Sequence, residues 1–276
     1  MKFSKILAYM LCVLLLNSCA EEEPVAPARD NNMAMGNPSN AGTDYGNYLL
    51  EKPQYTLSYS SYRGIPNWVS WHLNNTWLGE APRQDDFRAD NTLPPAFYKV
   101  VSSDYTGSGF DRGHNCPSAD RTASNEDNSA TFLMTNMIPQ APNNNQRTWA
   151  NLENYCRKLV DQGNELYIVM GSYGKGGTGS NGFTETLAGG KITVPNRIWK
   201  VVVVLPEGTN DVGRVNSNTR VIAIDTPNST TVNADWSSYR TTVDAIESKT
   251  GYDLLSNVTT GVQAVIEAKV DDGPVQ

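Results

Sequence analysis

Phe110-Asp111-Arg112-Gly113-His114-Asn115-Cys116-Pro117-Ser118 opens the stretch that decides the fold; Thr135-Asn136-Met137-Ile138-Pro139-Gln140 continues it, and Asn143-Asn144-Asn145-Gln146 leads into its last part. Trp149, Leu152, Cys156, Leu159 and Val160 then recur at helical spacing, which predicts an amphipathic helix over about 146–161. Glu153 and Arg157 lie one turn apart on that helix, along one edge of its apolar stripe, a placement that suits the wall of a cleft. A simple surface ion pair is the plainer alternative for the two. Asn145 sits just before the helix, where capping and ligand binding can coexist.

These residue types suit phosphodiester hydrolysis, which needs an activated water and charge stabilised on the phosphate and the leaving oxygen. The chain has 2 histidines. A neutral His114 can accept a proton from water, since imidazole titrates near pH ~6.5. The Asn145 amide oxygen suits Mg²⁺, which prefers oxygen ligands and keeps several of its waters. Glu153 can hold a water of that metal shell, and Arg112 can donate to phosphate oxygens. Gly113 permits close backbone approach beside His114.

In order and spacing, the Asp-Arg-Gly-His core, the Asn-x-x-Pro-Gln segment and the Asn-Gln-x-x-Trp-x-x-x-Glu-x-x-x-Arg helix resemble the DNA/RNA non-specific endonuclease family, the ββα-metal nucleases. The resemblance extends more loosely over about 48–258, including Asn67-Trp68-Val69 and the Ile246-Glu247-x-x-Thr250-Gly251 ending. It implies an α+β fold, with an antiparallel-rich central sheet flanked by helices and the site on a β-hairpin plus a helix. It further implies a Mg²⁺-dependent endonuclease, with Mn²⁺ able to substitute, that cuts DNA and RNA to 5′-phosphorylated oligonucleotides. By the same resemblance His114 matches the general base and Asn145 the direct metal ligand. Glu153 matches a carboxylate on metal-shell water, Arg112 and Arg157 match phosphate-side arginines, and Asn136 matches a residue supporting the site. Arg83 stands about where a further phosphate-binding arginine is expected, but Pro82-Arg83-Gln84-Asp85-Asp86 departs from the family pattern and Arg88 is a rival.

Around this stretch the hydrophobic pattern predicts a mixed α/β domain in which strands outnumber helices. Strands are expected at 68–73, 166–170, 199–205 and 220–224, and a helix at about 242–250 stopped by Gly251. The Gly-rich run 174–179 lacks phosphate-loop spacing and reads as a flexible loop. His72 has no visible partner and reads as structural.

Lys2 and Lys5 precede the apolar run 6–16, the pattern of a secretory signal. Leu16-Asn17-Ser18-Cys19 resembles a bacterial lipobox, so Cys19 is the expected lipidated first residue of the mature chain. Glu21-Glu22-Glu23 resembles an acidic sorting signal for the outer surface. The expected organisation is a signal at 1–18, a lipid-anchored flexible linker at 19–44, a nuclease domain at 45–260 and a tail at 261–276. The chain is then an exported outer-membrane lipoprotein, facing periplasm or cell surface, that meets the membrane through its anchor and takes DNA and RNA as substrates. With Cys12 lost and Cys19 lipidated, Cys116 and Cys156 remain to form a disulfide in an oxidising compartment. On a strand Cys116 shares a side with His114, on the helix Cys156 neighbours Glu153, and a strand and helix facing each other across the metal bring the two sulfurs close. Two buried free thiols are the alternative.

The net charge of -7 comes about half from the ends. Between Tyr45 and Thr260 there are 18 Lys and Arg against 21 Asp and Glu, a net charge of −3. That balance fits an enzyme that grips a few phosphates and excludes a protein that coats long nucleic acid by counterion release. Two other classes stay open: a surface lipoprotein that binds nucleic acid without cutting it, and a zinc protein using His72, His114, Cys116 and Cys156. The second lacks paired metal-ligand spacing.

Overall fold

The computed structural model describes residues 30–275. The signal sequence, Cys12 and Cys19 therefore lie outside the described residues. Among those described, no helix is long and apolar enough to cross a membrane.

The framework is one antiparallel sheet of eight strands. In chain order these are β1 (Thr43–Asp44), β2 (Asn47–Glu51), β3 (Thr56–Ser60), β4 (Ile65–Leu73), β7 (Asn164–Tyr173), β12 (Arg197–Pro206), β13 (Arg220–Pro227) and β14 (Arg240–Thr241). They lie side by side in that same order. A separate hairpin pairs β5 (Asp111–His114) with β6 (Met137–Gln140). Two minor hairpins pair β8 (Gly177–Gly179) with β9 (Gly182–Thr184), and β10 (Thr186–Leu187) with β11 (Ile192–Thr193). The Gly-rich run thus ends in a strand and is not wholly a loop. The helices are α1 (Asn125–Ala130), α2 (Ala150–Asp161), α3 (Asp211–Arg214), α4 (Val243–Thr250) and α5 (Thr260–Ile266).

The apolar runs at 166–170 and 199–205 become central strands because both faces of the sheet are covered. Leu166, Ile168 and Met170 of β7 enter one core, with Ile198 and Val202 of β12 and Leu152, Cys156 and Val160 of α2. Tyr167 and Val169 alternate onto the other face, with Trp199, Val201 and Val203, beneath Ile246 of α4 and Ile266 of α5. Period-2 alternation places successive side chains on opposite faces. Burying each large apolar side chain contributes about 1.5–3 kcal/mol relative to leaving it in water. The β5–β6 hairpin and α2 belong to the first face, and they carry the candidate site.

Both ends of the chain extend the domain beyond the limits expected from composition. Composition predicts a linker over 19–44, yet in its described part Met35 and Ala41 are buried in the second core. The Ser70 hydroxyl donates to the Asn32 carbonyl at 2.6 Å, and the Trp68 indole donates to Ser39 Oγ at 2.8 Å. Residues read as tail form α5, and the buried Asp271 carboxylate pairs with Arg220 at 2.7 Å and Arg240 at 2.8 Å. Such segments look polar in sequence because few residues make each contact. Gly251, at φ 74 in the left-handed region, ends α4 as expected.

Candidate active site

The β5–β6 hairpin sets His114 opposite Met137, and Gly113 opposite Ile138. A Cβ on Gly113 would stand 2.3 Å from Gln140 Oε1, so only glycine lets the two strands close here. Gln140 in turn donates to Asn144 Oδ1 at 2.6 Å, which ties the hairpin to the start of the helix. Asn136 braces the other side. Its Oδ1 accepts from the Cys116 N–H at 3.0 Å, its Nδ2 donates to the Cys116 carbonyl at 2.9 Å, and its own carbonyl accepts from Asn115 N–H. Asn136 therefore shapes the chain just past His114 without facing a cleft.

The predicted helix is present but opens differently. A π-helical stretch, Asn144–Trp149, precedes α2. Asn145 lies inside that stretch and does not cap the helix. Its Nδ2 donates to Asp111 Oδ2 at 2.8 Å, and Gln146 Nε2 donates to the same oxygen at 2.9 Å. With its nitrogen held, the Asn145 amide has its orientation settled, and among the described residues no donor occupies its Oδ1. A neutral oxygen fixed in this way fits a hard divalent cation. Asp111, Arg112, Asn145 and Gln146 line a cleft of about 520 Å³ together with Arg83 and Phe87.

His114 stands beside this cleft, with Phe132 at 4.9 Å and Phe87 at 5.6 Å between ring centroids, both edge-on. Its Nε2 is enclosed without a partner. Burial, then the charges of Arg83 and Arg112, lower its pKa to about 3. The imidazole is consequently neutral and able to accept a proton across the physiological range. The two arginines are themselves braced. Arg112 lies 4.1 Å over the Phe87 ring and donates to Ser102 Oγ. Arg83 lies 4.8 Å over Phe132, donates to Ser118 Oγ at 2.7 Å and pairs with Asp85 at 2.7 Å. The rival Arg88 is bound to Asp86 at 2.7 Å and to the Ser129 carbonyl at 2.9 Å, and it is not in the cleft lining.

Glu153 and Arg157 share a face of α2, as predicted, but other residues engage them. Arg157 pairs with the buried Asp120 carboxylate at 2.6 Å and donates to Asn154 at 2.7 Å. Glu153 faces the buried Lys200 ammonium at 3.5 Å; burial raises its carboxyl pKa despite the attraction of Lys200. Neither residue is in the cleft lining. Asp111 and Lys200 are additions that the pattern did not single out as functional. Asp111 was visible within the Asp-Arg-Gly-His core, and a lysine inside Trp199-Lys200-Val201-Val202 is itself a signal, since a buried ammonium requires a partner.

The expected disulfide is corrected: Cys116 and Cys156 are free, buried thiols. The expectation extended strand alternation from His114 to Cys116, but β5 ends at His114 and Asn136 holds Cys116 in a turn. Burial pushes both thiols up to about 12, so little of the thiolate that oxidation needs is present. The zinc alternative finds no support either. Two groups of His, Cys, Asp or Glu among the described residues are close enough to share an ion, and neither contains His114, Cys116 or Cys156. One joins Asp30, His72 and Glu165. His72, read as unpartnered, meets Glu165 at 3.0 Å, and Glu165 is already held by Arg214.

Three comparisons bear on this arrangement. Residues 31–261 match the family model described as DNA/RNA non-specific endonuclease. The chain is 51% identical over 251 residues to a nuclease of Nostoc sp., spanning 90% of this chain and 89% of that protein. It is 29% identical over 245 residues to a nuclease of Serratia marcescens, spanning 87% and 85% respectively. Among solved structures, a chain of an EndoG/EndoGI complex superimposes with a TM-score of 0.69 at 23% identity, covering 89% of this chain and 99% of that one. The last likeness concerns the fold, which is the α+β arrangement expected from the sequence.

Proposed function

The chain belongs to the DNA/RNA non-specific endonuclease family and is a nuclease, and from that premise we propose that it hydrolyses DNA and RNA without sequence preference, leaving 5′-phosphorylated oligonucleotides. The observation that carries this is the oriented Asn145 amide, sharing a cleft with two braced guanidinium groups beside an uncommitted neutral imidazole. His114 accepts the proton of the attacking water. Enclosure of Nε2 leaves Nδ1 as the nitrogen that does so. Arg83 and Arg112 grip phosphate oxygens, and their charge also keeps His114 unprotonated. None of these groups reads a base edge, which is why sequence preference is absent.

Asn145 would hold Mg²⁺, or Mn²⁺ in its place, with Asp111 keeping its amide oxygen presented. The bound ion would supply Lewis-acid stabilisation of charge on the phosphate and leaving oxygen. Glu153 would be the carboxylate for metal-shell water, its contact to Lys200 at 3.5 Å being long enough to leave it hydrogen-bonding capacity. Arg157, taken up by Asp120, positions that wall, so the phosphate grip rests mainly on Arg83 and Arg112.

Plasmid DNA and RNA digested with and without Mg²⁺ test the assignment. Cutting of both is expected with Mg²⁺, none in EDTA, and recovery when Mg²⁺ is restored. Undiminished cutting in EDTA would overturn the metal dependence, and binding without turnover would return the non-cutting lipoprotein.

We also place the mature protein on a membrane through lipidated Cys19, on the strength of the basic, apolar and Ser18-Cys19 pattern. Acyl chains hold by about 0.8 kcal/mol per buried methylene, so several together anchor firmly. Cys19→Ser is expected to move the protein from the membrane fraction to the soluble one, or to leave it unprocessed. Unchanged fractionation and an unchanged mass would count against the anchor.

A further inference from the structure

On the face of the sheet away from the hairpin, three carboxylates converge with no counter-ion. Asp244 and Glu247 stand three apart on α4, and Glu267 follows the last turn of α5. One carboxylate oxygen from each lies within 4.8 Å of the other two. Among the described residues none of the three forms an ion pair with Lys or Arg. The Asp30, His72 and Glu165 group differs, because Arg214 already supplies its positive charge.

The decisive member is Glu267. It is 7% exposed, and its Oε1 is enclosed without any hydrogen-bond partner. An unpartnered buried carboxylate oxygen is costly, and proteins keep one only where something compensates it. Burial, then Glu247, Asp244 and Asp253, raise this carboxyl to about 7, all four acting in one direction. The approach is open on one side, since Asp244 is exposed and Glu247 half-buried.

We propose that Asp244, Glu247 and Glu267 form a calcium site, separate from the catalytic cleft, that fastens α5 to α4. Oxygen-only ligands select a hard cation, and the choice of calcium follows from ligand flexibility. Calcium accepts irregular sets of carboxylate oxygens at about 2.3–2.6 Å, as three side chains from two helices would offer, whereas magnesium at about 2.1 Å demands a near-ideal octahedron and keeps most of its waters. The Asp244 N–H already meets the Glu267 carbonyl at 3.2 Å, so the backbone holds the two helices in register for a shared ion. The same corner clasps the N-terminal segment, with Asp253 N–H on the Pro38 carbonyl at 2.9 Å and Asn257 N–H on the Met35 carbonyl at 3.1 Å. Calcium bound here therefore steadies both ends of the domain.

The test is calcium titration of the full chain in magnesium-free buffer, by calorimetry and thermal melting, with Asn145→Ala introduced throughout so that the cleft adds no second site. One ion per chain is expected, with a Kd of about 10⁻⁵–10⁻³ M and a rise in Tm of about 5 °C at saturation. Glu267→Gln should raise the calcium-free Tm by removing repulsion, yet weaken calcium binding at least about tenfold. Asp244→Asn, at an exposed position that does not threaten folding, should weaken it similarly. Absence of saturable calcium binding, or binding that both substitutions leave unchanged, overturns the site. Stronger stabilisation by magnesium than by calcium overturns the choice of ion.

Discussion

His114→Ala is expected to fold and yet cleave plasmid DNA about 10²–10⁴-fold more slowly, the range that a general base contributes. The ring is packed edge-on by Phe87 and Phe132 and hydrogen-bonds to no described residue, so its removal deletes contacts without orphaning a polar partner. A loss of about 1–3 kcal/mol in stability is the ordinary cost of such a truncation, and circular dichroism separates it from the loss in rate. The pH dependence follows from the same surroundings. Burial, Arg83 and Arg112 depress the imidazole pKa to about 3, and the protonated form cannot accept from water. Base catalysis is thus lost only as pH falls towards that value. The rate of the parent enzyme should show no acid-side inflection at pH ~6.5, where an exposed histidine titrates. An inflection there that vanishes in His114→Ala would show the ring in an ordinary aqueous setting. A folded His114→Ala protein cutting at the parental rate would remove it as the base.

Asn145→Ala should cost most of the activity and shift the Mg²⁺ titration upward by at least about 10–100-fold, the scale seen when even the groups that only orient metal ligands are removed. The side chain makes one hydrogen bond, to Asp111, and the backbone N–H stays on the Ala141 carbonyl at 2.9 Å, so the helical entry should survive. Removing the amide also leaves Asp111 with Gln146 alone. Metal titrations of cleavage rate for parent and variant decide the point. Lower activity at every Mg²⁺ concentration with an unchanged half-saturation would take the ligand role from Asn145.

How far the sequence carries can be judged residue by residue. β7 and β12 were legible because their apolar, β-branched runs are buried on both faces. α2 was legible because its apolar positions repeat at 3.6. The π-helical opening at Asn144–Trp149 was not, since its start is tied to residues far along the chain: Asn228 Oδ1 accepts from the Ala141 N–H, and Asn144 Nδ2 donates to Thr226 Oγ1 and the Pro227 carbonyl. Residues 30–44 looked like tether because their buried members, Met35 and Ala41, are isolated within polar sequence. The Cys116–Cys156 pairing failed at one local step, the end of β5 at His114.

The sequence by itself determined strands β4, β7, β12 and β13, helices α2 and α4, the family and the residue types at the site, because periodicity and motif spacing are properties of neighbours along the chain. Tertiary structure alone decided which charges meet. It set Arg83 rather than Arg88 in the cleft, gave Arg157 to Asp120 and Glu153 to Lys200, turned Asn145 with Asp111, and enclosed the His114 ring beside two arginines so that its resting form is neutral. Those outcomes depend on distance and on the exclusion of water between segments tens of residues apart, and electrostatic energy follows separation and dielectric, neither of which is written in sequence spacing.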